Sequence, residues 1–285
     1  MDIKRVCVVG GGTMGNGIAH VFALKGFEVA LVEAKRELAD KALAAISRNL
    51  DRQAAKGVVT AADKDAALLR IRPALSPKEA PGFQFAVEAV PERMDLKKAV
   101  FRDLDAAAAP GAILATNTSS LPITEIASVV KDPSRVIGMH FMNPVPVMKL
   151  VEIIRGLQTS DETCQATREL ALKLGKTPAM AKDFPGFISN RVLMPMINEA
   201  IFCLMEGVST KEDIDAIMRL GMAHPLGPLQ LADYIGLDVC LAIMEVLHQG
   251  YGDSKYRPCP LLRQMVQAGR LGVKSGAGFY EYPKK

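Results

Sequence analysis

The chain has 285 residues, 49% hydrophobic and 23% charged, with a formal net charge of +4. A chain of this length buries a substantial core in one large or two smaller domains, and the composition excludes a disordered or fibrous protein. The charge is too small and too dispersed for a nucleic-acid surface, only 5% of residues are aromatic, and no apolar run reaches membrane-span length. Neither nucleic acid nor membrane is therefore an expected partner.

The N-terminus, MDIKRVCVVGGG, lacks the extended apolar core of a signal peptide, which makes a cytoplasmic location the expectation. In chain order, strands are predicted at RVCVVG (5–10), EVALVE (28–33), FAVEAV (85–90), AILATN (112–117), RVIGMHF (135–141) and KLVEII (149–154). A short strand, TPAMAKD (177–183), follows. Between them the Ala-, Leu- and Lys-rich stretches 36–56, 95–109 and 160–175 read as helices. Such alternation is the signature of a Rossmann-like, doubly wound, mostly parallel α/β domain.

At the Pro-Gly break in DFPGF (183–187) the strand signals stop. Residues 187–207, 210–220, 228–249 and 258–269 read as helices, with a Gly-rich SGAGF (275–279) near the end. The division expected is a cofactor-binding domain over 1–183 and an all-helical domain over 184–285. The helix at 187–207 is apolar over most of its surface, which suits burial against another helix layer or a second subunit. The five cysteines are scattered, without C-x-x-C or zinc-site spacing, and read as reduced packing residues; no metal is expected.

VCVVGGGTMGNG places Gly10, Gly12 and Gly15 in G-x-G-x-x-G spacing between an apolar strand and a helix, with Thr13 and Met14 in the loop. The first glycine allows a tight turn, the second lets backbone approach a pyrophosphate, and the third lets helix and strand pack closely. The next strand ends in Glu33, placed to accept hydrogen bonds from the adenosine ribose and to repel a 2′-phosphate, which favours NAD. Lys35 and Arg36 could reach that phosphate instead or begin a solvated helix, so NADP stays open.

One of only four histidines, His140, ends an apolar run, and Glu152 follows twelve residues later. The two lie symmetrically about Pro146, so an antiparallel return would bring them face to face. A carboxylate beside an imidazole fixes which nitrogen carries the proton and favours the charged ring, which suits a general base; a buried, satisfied histidine is the plain alternative. Next to a dinucleotide site, such a base points to hydride transfer at an alcohol carbon.

The segments VVGGGTMGNGIA (8–19), NTSSLPIT (117–124), GMHFMNPVPVMKLVEII (138–154) and PGFISNR (185–191) carry a resemblance to a known family. Supported by HPLGPLQLADYIGLD and KSGAGFY, they resemble the 3-hydroxyacyl-CoA dehydrogenases essentially end to end, most closely the short, free-standing 3-hydroxybutyryl-CoA dehydrogenases. The resemblance implies an (S)-3-hydroxyacyl-CoA substrate, NAD and a homodimer. It implies that His140 takes the 3-hydroxyl proton, that Glu152 holds the imidazole, and that Ser119 and Asn190 bond the reacting oxygens or the acyl carbonyl. It also places Glu92, Lys97 and Asn117 near the cofactor and Lys56 near coenzyme A. Read individually, Ser119 could cap a helix, Asn190 could be an ordinary polar helix residue, Glu92 and Lys97 could be surface charges, and Lys56 could end a helix. Ser189 departs from the aliphatic residue common in relatives.

Two other classes fit less well. A hydroxyacid dehydrogenase acting on a free acid typically carries a lysine base, and a non-catalytic relative has no need of His140, Glu152, Ser119 and Asn190 together.

Overall fold

The structure, a computed structural model, describes residues 2–283. The chain divides into two compact units, the first running through Phe184 and the second beginning at Pro185. In the first, eight strands form one sheet: β1 (Arg5–Val9), β2 (Glu28–Val32), β3 (Ile71–Ala74), β4 (Phe85–Glu88), β5 (Ile113–Thr116), β6 (Val136–Phe141), β7 (Leu150–Arg155) and β8 (Thr177–Lys182). Their order is β3-β2-β1-β4-β5-β6-β7-β8. The central strands β4, β5 and β6 are buried at every position, as a parallel sheet covered on both faces requires. Pairing is parallel except between β6 and β7, so β7 and β8 run against the other six.

The helices of this unit are α1 (Thr13–Leu24), α2 (Arg36–Ala55), α3 (Ala61–Leu69), α4 (Met94–Ala107), α5 (Ile123–Ala127) and α6 (Asp161–Lys173). Ala39, Ala42, Ile46 and Leu50 bury one stripe of α2, three to four residues apart, and leave its charged face outside. Two elements escaped the sequence reading. β3 is four residues long with Pro73 inside it, and it holds because it lies at the sheet edge, paired only to β2. α3 announces itself by a capping box in which Thr60 Oγ1 accepts from Asp63 N–H while the Asp63 carboxylate accepts from Thr60 N–H.

The second unit packs α7 (Ser189–Met205), α8 (Lys211–Ala216), α9 (Pro228–Ile235), α10 (Leu237–Tyr251) and α11 (Pro260–Gln267) around Ile201, Leu229, Leu237 and Met244. The helix expected over 228–249 is two helices, broken at Gly236, whose φ of 102° lies in the left-handed region that favours glycine. Just before the break, buried Asp233 accepts from Phe279 N–H and Tyr280 N–H, both at 2.9 Å, and so fastens the Gly-rich segment to α9. The five thiols are free, and burial raises those of Cys7 and Cys240 to about 12, well above reactive range. Among the described residues no helix is long and apolar enough to cross a membrane.

His20 on α1 is fully buried, and neither ring nitrogen has a hydrogen-bond partner of full geometry among the described residues. Burial holds its pKa below the ordinary histidine value; a Gln53 side-chain contact pulls it up and the Lys176 charge pushes it down again. The unfolded chain therefore binds a proton here that the folded chain refuses, so stability present above the unfolded pKa is lost as pH falls through it. As pH falls through the ordinary histidine range this one site is expected to cost stability, with a slope of at most ~1.4 kcal/mol per pH unit, the one-proton limit. Thermal unfolding of His20→Gln against wild type across that range checks it: the mutant's melting temperature should decline less steeply, and parallel curves refute it.

Candidate functional site

The strand order reverses at β1, between β2 and β4, and the parallel strands deliver their C-terminal ends to one edge. Open α/β sheets bind ligands there. The glycine loop leaves β1, Glu33 follows β2, Glu92 follows β4, and Asn117 and Ser119 follow β5; His140 lies near the end of β6.

Gly10 has φ 94°, and a side chain on it would meet Ala89 O at 2.7 Å. A Cβ on Gly15 would overlap the Gly10 carbonyl oxygen, so the third glycine is what lets α1 start against the loop. At Gly12, by contrast, a Cβ would meet nothing within 4 Å, and α1 begins there without a side-chain cap. An uncapped helix N-terminus facing open space is what an anionic pyrophosphate needs. Glu33 Oε1 accepts from Gly11 N–H at 2.6 Å, and a groove of about 680 Å³ runs past Gly12, Thr13, Met14, Glu33 and Val90. These residues fit a dinucleotide. Arg36, one of the two cations that left NADP open, is engaged with Asp40 at 3.0 Å.

Behind the groove lies an ion-pair chain that runs from a buried pair, Glu88 and Lys97, out to the partly exposed Glu92. Glu88, at the end of β4, is fully buried and accepts from Lys97 Nζ at 2.8 and 3.0 Å, Thr116 Oγ1 at 2.7 Å and Val90 N–H at 2.6 Å. Burial raises the Glu88 carboxyl, while the Lys97 charge and these bonds pull it back. Lys97 also reaches Glu92 Oε2 at 3.0 Å. Glu92 Oε1 in turn accepts from Thr118 Oγ1 at 2.5 Å, Ser119 N–H at 2.7 Å and Ser119 Oγ at 3.2 Å. Burial pushes the Glu92 carboxyl up, but Lys97 and these donors outweigh it and hold it low. Lys97 is thus no surface charge. Nor does Ser119 cap a helix, since the N-cap of α5 is Pro122.

The return about Pro146 is present: His140 pairs with Glu152 in the antiparallel register of β6 and β7, and His140 Nδ1 lies 2.8 Å from Glu152 Oε2. Both are buried. Asn117 Oδ1 accepts from Phe141 N–H at 2.9 Å, which ties the end of β5 to the end of β6. Lys176 anchors the turn between β6 and β7 by donating to Val145 O at 2.5 Å and Met148 O at 2.8 Å.

Beside that turn, a cleft of about 280 Å³ is lined by Asn16, Arg48, Asn49, Arg52 and Asn143. Arg48 and Arg52 share α2 with Lys56, which is the exposed C-cap of that helix. The sequence reading named Lys56 and missed both arginines; their spacing of four residues, repeated once more to Lys56, was the available signal. Asn190 belongs to the second unit, in the first turn of α7, where it is buried, and Ser189 beside it is half-buried. Among the described residues no group of three or more His, Cys, Asp or Glu is arranged to hold a metal.

Comparison with known proteins covers the whole chain. Residues 5–184 match the 3-hydroxyacyl-CoA dehydrogenase NAD binding domain, and residues 186–282 match the 3-hydroxyacyl-CoA dehydrogenase C-terminal domain. A Bacillus subtilis (strain 168) protein named as a probable 3-hydroxybutyryl-CoA dehydrogenase is 56% identical over 100% of this chain and 99% of its own length. A 3-hydroxybutyryl-CoA dehydrogenase of Bradyrhizobium diazoefficiens is 52% identical over 98% of this chain and 96% of its own. The crystal structure of (S)-3-hydroxybutyryl-CoA dehydrogenase from Ralstonia eutropha superposes with a TM-score of 0.97 at 48% identity, covering 99% of this chain and 100% of that one.

Proposed function

The chain belongs to the 3-hydroxyacyl-CoA dehydrogenase family and is an NAD-dependent dehydrogenase, and from that premise we propose that it interconverts (S)-3-hydroxybutyryl-CoA and acetoacetyl-CoA with His140 as its acid–base group. The observation that carries the proposal is the 2.8 Å contact between His140 Nδ1 and Glu152 at the end of the sheet where the glycine loop opens. Bound NAD supplies the hydride acceptor. His140 removes the 3-hydroxyl proton through Nε2 during oxidation and returns it to the oxygen during reduction. Glu152 fixes the tautomer, orients the ring and stabilises its charged form. Ser119 bonds the reacting oxygen, and Glu92 sets its position. Asn117 borders the nicotinamide, while Gly10, Gly12, Thr13, Met14, Gly15 and Glu33 hold the rest of the dinucleotide. Arg48 and Arg52, with Lys56, receive the phosphates of coenzyme A. From its motif Asn190 is assigned a second contact to the acyl group, and the helical unit, residues 184–285 in this assignment, binds substrate and forms a homodimer. The enzyme works in the cytoplasm.

Loss of NADH absorbance during acetoacetyl-CoA reduction, compared with NADPH, tests this reading. Turnover is expected with both, at a kcat/KM for NADH at least about tenfold higher, because Glu33 occupies the place a 2′-phosphate would take. Absence of turnover with either cofactor overturns the short-chain substrate.

A further inference from the structure

Glu88 has no part in the proposed chemistry, yet it is the most completely enclosed carboxylate near the site. Its side chain shows no exposure and accepts from three groups, and its chief partner, Lys97, is 1% exposed. A buried carboxylate and ammonium of this kind are a costly way to hold a helix against a sheet, since apolar residues of the same volume serve as well or better. The arrangement has a direction. Lys97 Nζ lies between two carboxylates, 2.8 Å from Glu88 Oε1 and 3.0 Å from Glu92 Oε2, and the other oxygen of Glu92 receives the Thr118 hydroxyl and the amides of Ser119 and Ser120. Glu88 meets the same turn from behind: Thr116 Oγ1 donates to Glu88 Oε2 and accepts from Thr118 N–H at 3.2 Å. Both routes from Glu88 end on residues 118–120.

We propose that Glu88 is a positioning residue: held rigidly in the sheet, it aims Lys97 at Glu92 and sets the turn that presents Asn117 and Ser119 to the reacting atoms. The inference rests on the proposed role of Ser119. Because the ammonium donates two bonds inward to the Glu88 carboxylate, backed by a longer one of 3.2 Å to Val90 O, Lys97 does not follow Glu92 outward. Glu92, whose side chain is 35% exposed while its carboxylate is turned inward, therefore keeps that carboxylate over the turn. Without the Glu88 charge the ammonium is shared by one anion only, is drawn toward it, and the turn loses its fixed reference.

Steady-state kinetics on Glu88→Gln, Lys97→Met and the double variant, with NADH affinity measured by fluorescence titration, decide the matter. Glu88→Gln keeps shape and neutral acceptors, and it should lower kcat about tenfold while leaving NADH affinity within about twofold, since the glycine loop and Glu33 are untouched. In the double variant, which removes both charges and spares the fold an unpaired one, kcat should equal that of Lys97→Met alone, because the Gln amide oxygen still accepts from Thr116 Oγ1 and only the route through Lys97 depends on the Glu88 charge. A kcat for Glu88→Gln within about twofold of wild type overturns the assignment. So does a loss of kcat matched by an equal loss of NADH-binding capacity, the mark of a merely structural residue. Should Glu88→Gln fail to fold, the double variant decides: a kcat clearly below that of Lys97→Met overturns the inference, and equality supports it. If wild type itself turns over no acetoacetyl-CoA, the functional reading and this role of Ser119 fall together; normal wild-type turnover with an unaffected Glu88→Gln removes the Glu88 inference alone.

Discussion

His140→Ala should lower kcat for acetoacetyl-CoA reduction by roughly 10²- to 10⁴-fold, the range over which a positioned general acid or base contributes. NADH affinity should stay within about twofold, because the dinucleotide is assigned to the glycine loop and Glu33, which the substitution leaves unchanged. The loss arises because proton and hydride must reach the two ends of the carbonyl together, and no other titratable side chain shares the β6–β7 register position of His140 except Glu152 itself. Glu152→Gln should cost less, about ten- to a hundredfold, since the imidazole remains while its tautomer and orientation are no longer imposed. Stopped-flow hydride transfer on both variants, with NADH titration as the control, makes the comparison. A His140→Ala enzyme retaining more than about a tenth of wild-type kcat would return the pair to the role of buried packing.

Gly15→Ala carries the second large effect. The added methyl would sit on the carbonyl oxygen of Gly10, a backbone atom that cannot swing aside as a side chain tip can. Either α1 lifts from the loop or the loop opens, and both move the amides at Gly12 and Thr13 that would meet the pyrophosphate. NADH affinity should fall about a hundredfold or more, some 2.7 kcal/mol. Overpacking should also lower thermal stability by roughly 1–3 kcal/mol. Gly12→Ala is the informative control: it meets nothing in the protein, so its stability should be unchanged and any loss of affinity reports the ligand's approach alone. Fluorescence titration and thermal melts of the two variants separate the effects, and equal affinities for Gly15→Ala and wild type would disprove the account.

Where a physical signal is local, the residues announced the geometry. The apolar strands of the sheet centre are buried on both faces and so read as unbroken hydrophobic runs; the glycine spacing needs only one turn; and His140 with Glu152 needs only a symmetric hairpin. What stayed hidden depends on tertiary partners. β3 carries an arginine and a proline in four residues and is a strand only because β2 lies beside it. For Lys97, which the family resemblance put near the cofactor, a surface charge stayed open as the alternative because composition cannot show which face of α4 is covered, and nothing in the apolar run FAVEAV marks Glu88 as its partner. The break at Gly236 was invisible because a glycine inside an apolar stretch is as compatible with continuing a helix as with ending it.

The reversed strand β7 has a consequence for assembly. Because it returns directly alongside β6, His140 and Glu152 are brought together by closing a segment of a dozen residues, and the entropy lost in closing a loop grows with its length. The same holds, at 22 and 27 residues apart, for Glu33 with Gly11 and for Glu92 with Ser119. Within the first unit these three candidate-site contacts are therefore closed by short segments of chain. The glycine loop differs, since Gly10 packs against Ala89 in a much later segment and so needs the long-range pairing of β1 with β4.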